Sequence, residues 1–186
     1  VGAKIAYARS LKSRDIVEDV RDNRITIVIG VPLLYEKMYH AFQRRVANQP
    51  IVRRAAFRAA FAMSGHGFDR GKRWGKTLFA NLRREAGLDS IRMFISGGAP
   101  LAPRVARFFN LLGFDLLQGY GLTECSPVVS VNRPDDIRFD SVGPLLPGIE
   151  GRIHEPGEDG VGEIILRGEN NTTGYRGSPD LTAELI

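Results

Sequence analysis

Two kinds of apolar pattern alternate along the first two thirds of the chain. Residues 25–29, read ITIVI, form a β-branched run that suits a strand buried on both faces of a sheet, and residues 91–95 and 114–117 are two further apolar strands. Helical spacing predicts helices over residues 15–24, 33–48, 51–63, 71–85 and 102–112, with a glycine-rich turn at 64–71. Strands that alternate with helices indicate an α/β fold, with a mostly parallel sheet and helices on its faces.

The texture of the chain changes after Pro127. Short extended pieces at residues 141–148, 151–154 and 162–167 are separated by dense glycine and proline, which predicts a small antiparallel sheet with a hairpin turn at 156–160. We therefore expect an α/β subdomain over residues 1–131 and a small β-rich subdomain over 132–186.

The residues at both ends of the chain indicate that it is a piece of a longer protein. Residue 1 is a valine, and residues 181–186 read as a helix that has just begun, with no capping residue or glycine to end it. We therefore expect an internal fragment whose second subdomain is truncated at its C-terminus.

Composition narrows the class of protein. The 186 residues are 43% hydrophobic and 25% charged, an ordinary balance for a globular domain with a sizeable core. Cys125 is the single cysteine, which excludes an internal disulfide, a cysteine-rich zinc site and a CxxC redox pair. With no histidine partner in view, Cys125 is interpreted as a packing residue, and a reducing, cytoplasmic compartment is expected.

The net charge of +5 is concentrated in one segment. Residues 44–84 hold eleven lysines and arginines against the single acid Asp69, interleaved with aromatic residues. This mix is compatible with peripheral contact with an anionic membrane, on its inner face, or with a solvated pair of helices that packs its apolar side on the body. Nucleic acid fits less well, and none is expected as a partner.

Glycine-rich turns are predicted after the second and third strands, at residues 96–100 and 118–121. Open α/β sheets bind ligands beyond the carboxyl ends of their strands, and glycine lets the backbone approach a flat ligand closely. Tyr120 could stack on a base or simply be a core aromatic. The hydroxyl of Thr123 beside the carboxylate of Glu124 can hold a phosphate oxygen and its Mg²⁺, although ordinary turns also explain each feature taken alone.

Four stretches, in order and at the expected spacing, resemble the adenylate-forming superfamily, which contains acyl-CoA synthetases, luciferases and peptide-synthetase adenylation domains. They are GGAPL at 97–101, QGYGLTECSPV at 118–128, VGPLLPGIEGRI at 142–153 and GEIILRGENNTTGYRGSPDLTAE at 162–184. The stretch at residues 16–42 looks most like the long-chain fatty acyl-CoA ligase branch. The fold implied is part of the N-terminal domain of an acyl-CoA synthetase.

The resemblance implies roles at matching positions. Thr123 and Glu124 would be catalytic, with Thr123 on the phosphates and Glu124 as the Mg²⁺ ligand, while Gly121 would lie next to the acyl group. Residues 98–100 and 118–120 would flank the adenine. Together with Gly121 and Thr123 they make up the expected cofactor-binding set: Gly98, Ala99, Pro100, Gln118, Gly119, Tyr120, Gly121 and Thr123. The implied reaction joins a fatty acid to ATP to give acyl-AMP and then transfers the acyl group to coenzyme A.

Two other functions remain open at the level of sequence. One is an adenylation domain that loads an amino or aryl acid onto a carrier protein. The other is a non-catalytic module that binds a lipid surface or nucleic acid through residues 44–84. In the resembled family, the loop that grips pyrophosphate, a ribose-binding Asp and a catalytic Lys lie outside the matching stretches, so the fragment itself is expected to be inactive.

Overall fold

The computed structural model describes residues 2–10 and 12–185 and contains two separate sheets with flanking helices. In chain order the elements are α1 (Ser13–Asn23), β1 (Ile27–Gly30), α2 (Pro32–Ala47), α3 (Ile51–Phe68), α4 (Gly75–Leu78), α5 (Ala80–Glu85), β2 (Met93–Ser96), α6 (Pro103–Leu111), β3 (Asp115–Gly121), a 3₁₀ turn (Thr123–Cys125), β4 (Val128–Val131), β5 (Ile149–His154), β6 (Glu163–Gly168) and α7 (Pro179–Leu185).

The larger sheet has the strand order β1-β2-β3-β4. The first two pairings are parallel, with Gly30 opposite Ser96 and Ser96 opposite Gln118, whereas β4 runs antiparallel to β3. Strands β5 and β6 form an antiparallel hairpin whose turn spans the predicted residues 156–160. The predicted α/β fold, with a mostly parallel sheet and a separate small antiparallel sheet, is confirmed.

An aromatic cluster forms the core between the larger sheet and helices α2 and α6. Tyr35, Phe94, Phe109 and Phe114 are each less than 2% exposed, and the ring centroids of Phe94 and Phe114 lie 5.0 Å apart. The Tyr35 hydroxyl lies 2.8 Å from the carbonyl oxygen of Ile95 in β2 and 3.1 Å from that of Val28 in β1. One buried phenol therefore ties two parallel strands to α2.

The helix starts follow from local sequence. Pro32 and Pro103 stand in the first turns of α2 and α6, where the missing N–H of proline costs nothing. On α1, Ile16 and Val20 are four residues apart and both buried, so that one face of the helix meets the core. This helix ends at Arg24, which adopts the left-handed conformation with φ 49°.

The turn predicted at residues 64–71 is wrong over its first half, because α3 continues to Phe68. Gly65 and Gly67 are buried inside the helix. A Cβ at Gly67 would lie 2.6 Å from the Trp74 ring. Gly67, one of the glycines that suggested a turn, is therefore a packing position.

Residues 71–85, predicted as one helix, form α4 and α5, which meet at Phe79. The backbone of Phe79 leaves helical geometry at φ −109° and ψ 18°. Its ring is buried and lies 5.4 Å from the ring of Phe57 and 6.4 Å from that of Phe61. The break between α4 and α5 coincides with the packing of this ring against α3. The spacing of apolar residues in the sequence does not reveal such a contact.

The expectation that residues 25–29 are buried on both faces is also wrong. Strand β1 lies at the edge of the larger sheet, and Ile29 is 76% exposed. A run of β-branched residues indicates a strand, but it does not determine how many strands pair with it. In the described part of the chain, β1 pairs with β2 alone.

Two further corrections concern pairing around β4. Strand β3 continues through residues 118–121, which were predicted as a turn, because β4 pairs with Gly119, Tyr120 and Gly121. Residues 141–148 do not join the small sheet. Leu145 instead bridges Ser130, on the outer side of β4.

Candidate functional site

Two adjacent parallel strands bring two glycine-rich segments to the same end of the larger sheet, where both strands have their carboxyl ends. Ser96, the last residue of β2, pairs with Gln118 of β3. The chain then turns at Gly97, whose N–H donates to the carbonyl of Gly30 over 3.2 Å. A Cβ on Gly97 would lie 3.8 Å from the carbonyl oxygen of Gly119, so the two predicted adenine-binding segments lie side by side.

The turn after β2 presents its backbone to open space. Gly98 has φ +82°, which favours glycine, and apart from its chain neighbours no atom of the described residues lies within 4 Å of where its Cβ would be. Gly98, Ala99 and Pro100 are all exposed. A flat ligand can therefore reach the N–H and C=O groups of this turn.

The glycines of β3 have a structural role that the sequence did not reveal. A Cβ at Gly119 would lie 3.0 Å from the carbonyl oxygen of Ser130, and one at Gly121 would overlap the carbonyl group of Pro127. Both glycines thus allow the β4 segment to approach β3. Tyr120 lies between them near the C-terminal end of β3 and is 37% exposed, so its ring is accessible from solvent.

A 3₁₀ turn places the two predicted catalytic residues directly beyond β3. The N–H of Cys125 donates to the carbonyl of Leu122 over 2.9 Å, and the turn ends at Ser126 with φ 56°. Thr123 is exposed and Glu124 is half-buried. Cys125 points inward at 4% exposure, and burial raises the pKa of its thiol, which agrees with a packing role.

A segment distant in sequence, residues 170–175, holds this turn in place. The side-chain amide of Asn170 donates to the carbonyl of Cys125 over 2.6 Å, and the N–H of Thr172 donates to the carbonyl of Glu124 over 2.7 Å. The Tyr175 hydroxyl donates to Oε1 of Glu124 over 2.6 Å. These three residues were missed as site residues, since nothing in the spacing of one sequence indicates contacts across about 50 residues.

The Tyr175 contact favours the ionised form of Glu124 and the neutral form of its own phenol. The hydrogen bond from its hydroxyl is the main reason that the pKa of Glu124 lies below its ordinary value, and the same bond raises the pKa of Tyr175. Glu124 is therefore a carboxylate, and Tyr175 a neutral donor, at neutral pH.

The donor set fits a magnesium ion that arrives with a nucleotide. Within residues 2–10 and 12–185, no group of three or more histidine, cysteine or acidic side chains is placed to hold a metal. A metal at Glu124 would thus have fewer than three such side chains from the described residues around it, and phosphate and water could supply further ligands. Mg²⁺ is commonly bound in that way, by one or two carboxylates together with substrate phosphates.

Clefts do not by themselves identify the site. A cleft of about 210 Å³ opens beside Glu124, between the 3₁₀ turn and β6. A larger one, of about 390 Å³, lies between α2, α3 and α5 and is walled by Phe42, Arg45 and Phe57. We assign the candidate site to the strand ends, because the open backbone turn, Tyr120 and Glu124 converge there.

Comparisons with known proteins give one consistent family. A family model described as AMP-binding enzyme matches residues 1–176. The long-chain-fatty-acid–CoA ligase ACSBG2 of Rattus norvegicus is 31% identical over 183 residues, which cover 92% of this chain and 27% of the relative. Long chain acyl-CoA synthetase 4 of Arabidopsis thaliana is 28% identical over 202 residues, which cover 100% of this chain and 30% of the relative. The chain thus spans less than a third of the length of these two proteins.

Solved structures share the fold. Apo MatB from Rhodopseudomonas palustris superposes with a TM-score of 0.61 at 25% identity, over 96% of this chain and 29% of MatB. The anthranilate CoA ligase AuaEII, solved with anthranoyl-AMP, gives a TM-score of 0.59 at 20% identity, over 94% of this chain and 27% of that enzyme. The chain resembles part of the N-terminal domain of adenylate-forming enzymes, and with the family model matched along almost its whole length, it belongs to the AMP-binding enzyme family.

Proposed function

We propose that the chain is the part of a long-chain fatty acyl-CoA ligase that holds adenine and the metal-bound phosphates of ATP. In the proposed reaction, a carboxylate oxygen of the fatty acid bonds to the α-phosphorus of ATP and pyrophosphate leaves. The thiol of coenzyme A then bonds to the acyl carbon and AMP leaves. The long-chain assignment rests on relatives of about 30% identity, and the activity belongs to the longer protein.

The observation that carries the proposal is the meeting of two segments at one sheet edge. The open turn of residues 98–100 lies next to β3, and β3 leads directly into the 3₁₀ turn with Thr123 and Glu124. A nucleotide that lies across this edge could contact both segments at once, which matches the general placement of ligands in open α/β sheets.

Each residue then has a stated task. The backbone of residues 98–100 and 118–119 meets the edge of adenine, and Tyr120 stacks on its face. Thr123 donates its hydroxyl to a phosphate oxygen, and Glu124 supplies the carboxylate for the metal. Bound magnesium would offset the negative charge that the fatty acid carboxylate must approach. Gly121 is proposed beside the acyl group.

The acid substrate distinguishes this proposal from its nearest rival. An adenylation domain that loads an amino or aryl acid onto a carrier protein would use the same strand-end geometry. A panel of acids offered to the full-length protein separates the two, with long alkyl acids supporting exchange in one case and amino or aryl acids in the other.

Replacement of Glu124 tests the proposed metal carboxylate. In the full-length protein, Glu124→Ala is expected to raise the Mg²⁺ concentration needed and to slow adenylation by about a hundredfold or more, because a charge-stabilising group is lost. Acid-dependent exchange of pyrophosphate into ATP is the measurement. Glu158→Ala, at an exposed carboxylate in the β5–β6 turn, is the control and should behave as the unaltered protein does. Equal kinetics of the two variants would remove Glu124 from the site.

We also propose peripheral contact with an anionic membrane, on its cytoplasmic side, through the start of α3. The basic segment of residues 44–84 divides in two. Arg73 and Lys76 are ion-paired with Asp115, and Arg83 donates to the carbonyl of Gly113, so these side chains brace the fold. Within residues 44–84, all of which the structure describes, five exposed arginines make no ion pair, and three of them lie around the end of α2 and the start of α3: Arg44, Arg53 and Arg58.

The same helix exposes a narrow apolar strip. Val52 is 75% and Met63 52% exposed, and four alanines between them are also exposed. By helical spacing, Arg53 and Arg58 lie on opposite sides of this strip. An apolar strip with cations at its margins is typical of helices that lie in a membrane interface. Among the helices described, none is both long enough and apolar enough to span a bilayer.

A further inference from the structure

Tyr175 and Glu124 form a hydrogen bond that, within the part of the chain that the structure describes, is the only one to reach the proposed metal carboxylate from outside its own turn. They are separated by 51 residues, and the donor hydroxyl lies 2.6 Å from Oε1. Glu124 follows β3 of the larger sheet, whereas Tyr175 follows β6 of the smaller one. The contact therefore brings a phenol from the second sheet to a site that the first sheet builds.

The loop that carries Tyr175 is itself braced. The N–H of Tyr175 donates to Oγ1 of Thr182 over 2.9 Å, and that hydroxyl donates to the carbonyl of Ser178 over 2.9 Å. Gly174, at φ +135°, lets the chain pass so close to Thr182 that a Cβ there would overlap the threonine side chain. The phenol is thus presented by a fixed turn that is anchored to the first turn of α7.

The same segment holds the main chain of Glu124. The N–H of Thr172 donates to the Glu124 carbonyl, and the Asn170 amide donates to the next carbonyl, of Cys125. Backbone anchors at two adjacent residues would suffice to fasten the turn. The Tyr175 hydroxyl adds a constraint of a different kind, because it orients the carboxylate itself.

We propose that Tyr175 is a positioning residue for Glu124: its hydroxyl fixes the carboxylate in the orientation that receives the metal ion accompanying the ATP phosphates. This inference rests on the proposed function of Glu124 as the metal ligand. A carboxylate that one hydrogen bond already orients loses less rotamer freedom when the metal binds. Partners of this kind behind a metal ligand are worth about 10–100-fold in metal affinity or activity when they are removed.

The test is Tyr175→Phe in the full-length protein, which keeps the ring and removes only the hydroxyl. Binding of Mn²⁺ in the presence of ATP, measured by electron paramagnetic resonance without any acid substrate, is expected to weaken by about 10–100-fold. The Mg²⁺ concentration for half-maximal exchange should rise by a similar factor, and saturating Mg²⁺ should restore the rate. Tyr7→Phe, at a tyrosine that is 89% exposed, is the control and should change neither readout.

A double variant separates positioning from a merely structural role. If Tyr175 acts through Glu124, then Tyr175→Phe should weaken Mn²⁺ binding little further in a Glu124→Ala background, because the two changes remove one interaction. Additive losses, or unchanged Mn²⁺ binding by Tyr175→Phe while Glu124→Ala weakens it, would overturn the role of Tyr175 alone. Unchanged Mn²⁺ binding by Glu124→Ala itself would instead overturn the proposed function of the site.

Discussion

At the scale of single residues, the glycines around Tyr120 show how one residue type serves two purposes. The sequence suggested that Gly119 and Gly121 leave room for a ligand. The structure shows that they also leave room for the chain itself, since the β4 segment passes close to both Cα atoms. Without these glycines, β4 could not pair as closely with the end of β3.

Replacement of Gly121 by alanine is therefore expected to destabilise the fold. The new Cβ would overlap the carbonyl of Pro127. The backbone shifts that accommodate such overpacking typically lower the free energy of unfolding by about 1–3 kcal/mol. Thermal unfolding of the full-length protein measures the loss. Gly97→Ala is the matched control, because its Cβ would meet only the Gly119 carbonyl oxygen, at 3.8 Å. A Gly121→Ala protein as stable as the Gly97→Ala protein would contradict the close approach of β4.

Prediction of individual site residues from the sequence depended on whether their role is local. Thr123 and Glu124 could be proposed because a hydroxyl and a carboxylate directly after a strand carry meaning by position alone. Tyr175 could not be proposed, because its role exists only through a hydrogen bond to a residue 51 positions away. The binding roles of Gly98, Tyr120 and their neighbours stay predictions.

At the scale of elements, strands and helices were predicted where the period of apolar residues is regular, and their ends were not. Helix α3 was ended too early at a pair of glycines, since glycine in isolation favours a turn. In the structure both glycines are buried within the helix, and Gly67 leaves room for the ring of Trp74. Strand β3 was ended too early for a similar reason, because its last residues pair with β4, a partner that the pattern of residues 118–121 does not reveal.

The two glycines of α3 give a matched pair of variants. Gly67→Ala would place a Cβ 2.6 Å from the ring of Trp74, so it should displace the only tryptophan and shift its fluorescence while lowering stability by about 1–3 kcal/mol. In Gly65→Ala the nearest atoms would lie at 3.6 Å, an ordinary contact. That variant should gain up to about 1 kcal/mol from helix propensity and leave Trp74 in place. Equal effects of the two would contradict the packing described for α3.

At the scale of the whole molecule, the alternation of strands and helices was enough to predict the α/β class and the separate small sheet. It did not predict which strands lie at edges: among the described residues no strand pairs with the outer side of β1, while the outer side of β4 is covered by the bridge from Leu145. Edge position depends on the set of partners and not on the strand's own residues. The division between residues 131 and 132 stays a prediction.

The surface at the start of α3 is expected to determine how the molecule is oriented on a membrane. Each arginine near an anionic bilayer contributes about 1 kcal/mol, so the double variant Arg53→Gln, Arg58→Gln should bind such vesicles roughly 25-fold less tightly at low salt. Cosedimentation of the full-length protein with phosphatidylcholine vesicles, with and without phosphatidylglycerol, measures this binding. The control removes the same net charge from two exposed arginines of the β5–β6 hairpin, in Arg152→Gln, Arg167→Gln. If both pairs weaken binding equally, attraction follows overall charge and α3 is not the docking surface; if only the α3 pair does, and high salt abolishes the difference, this helix faces the lipid.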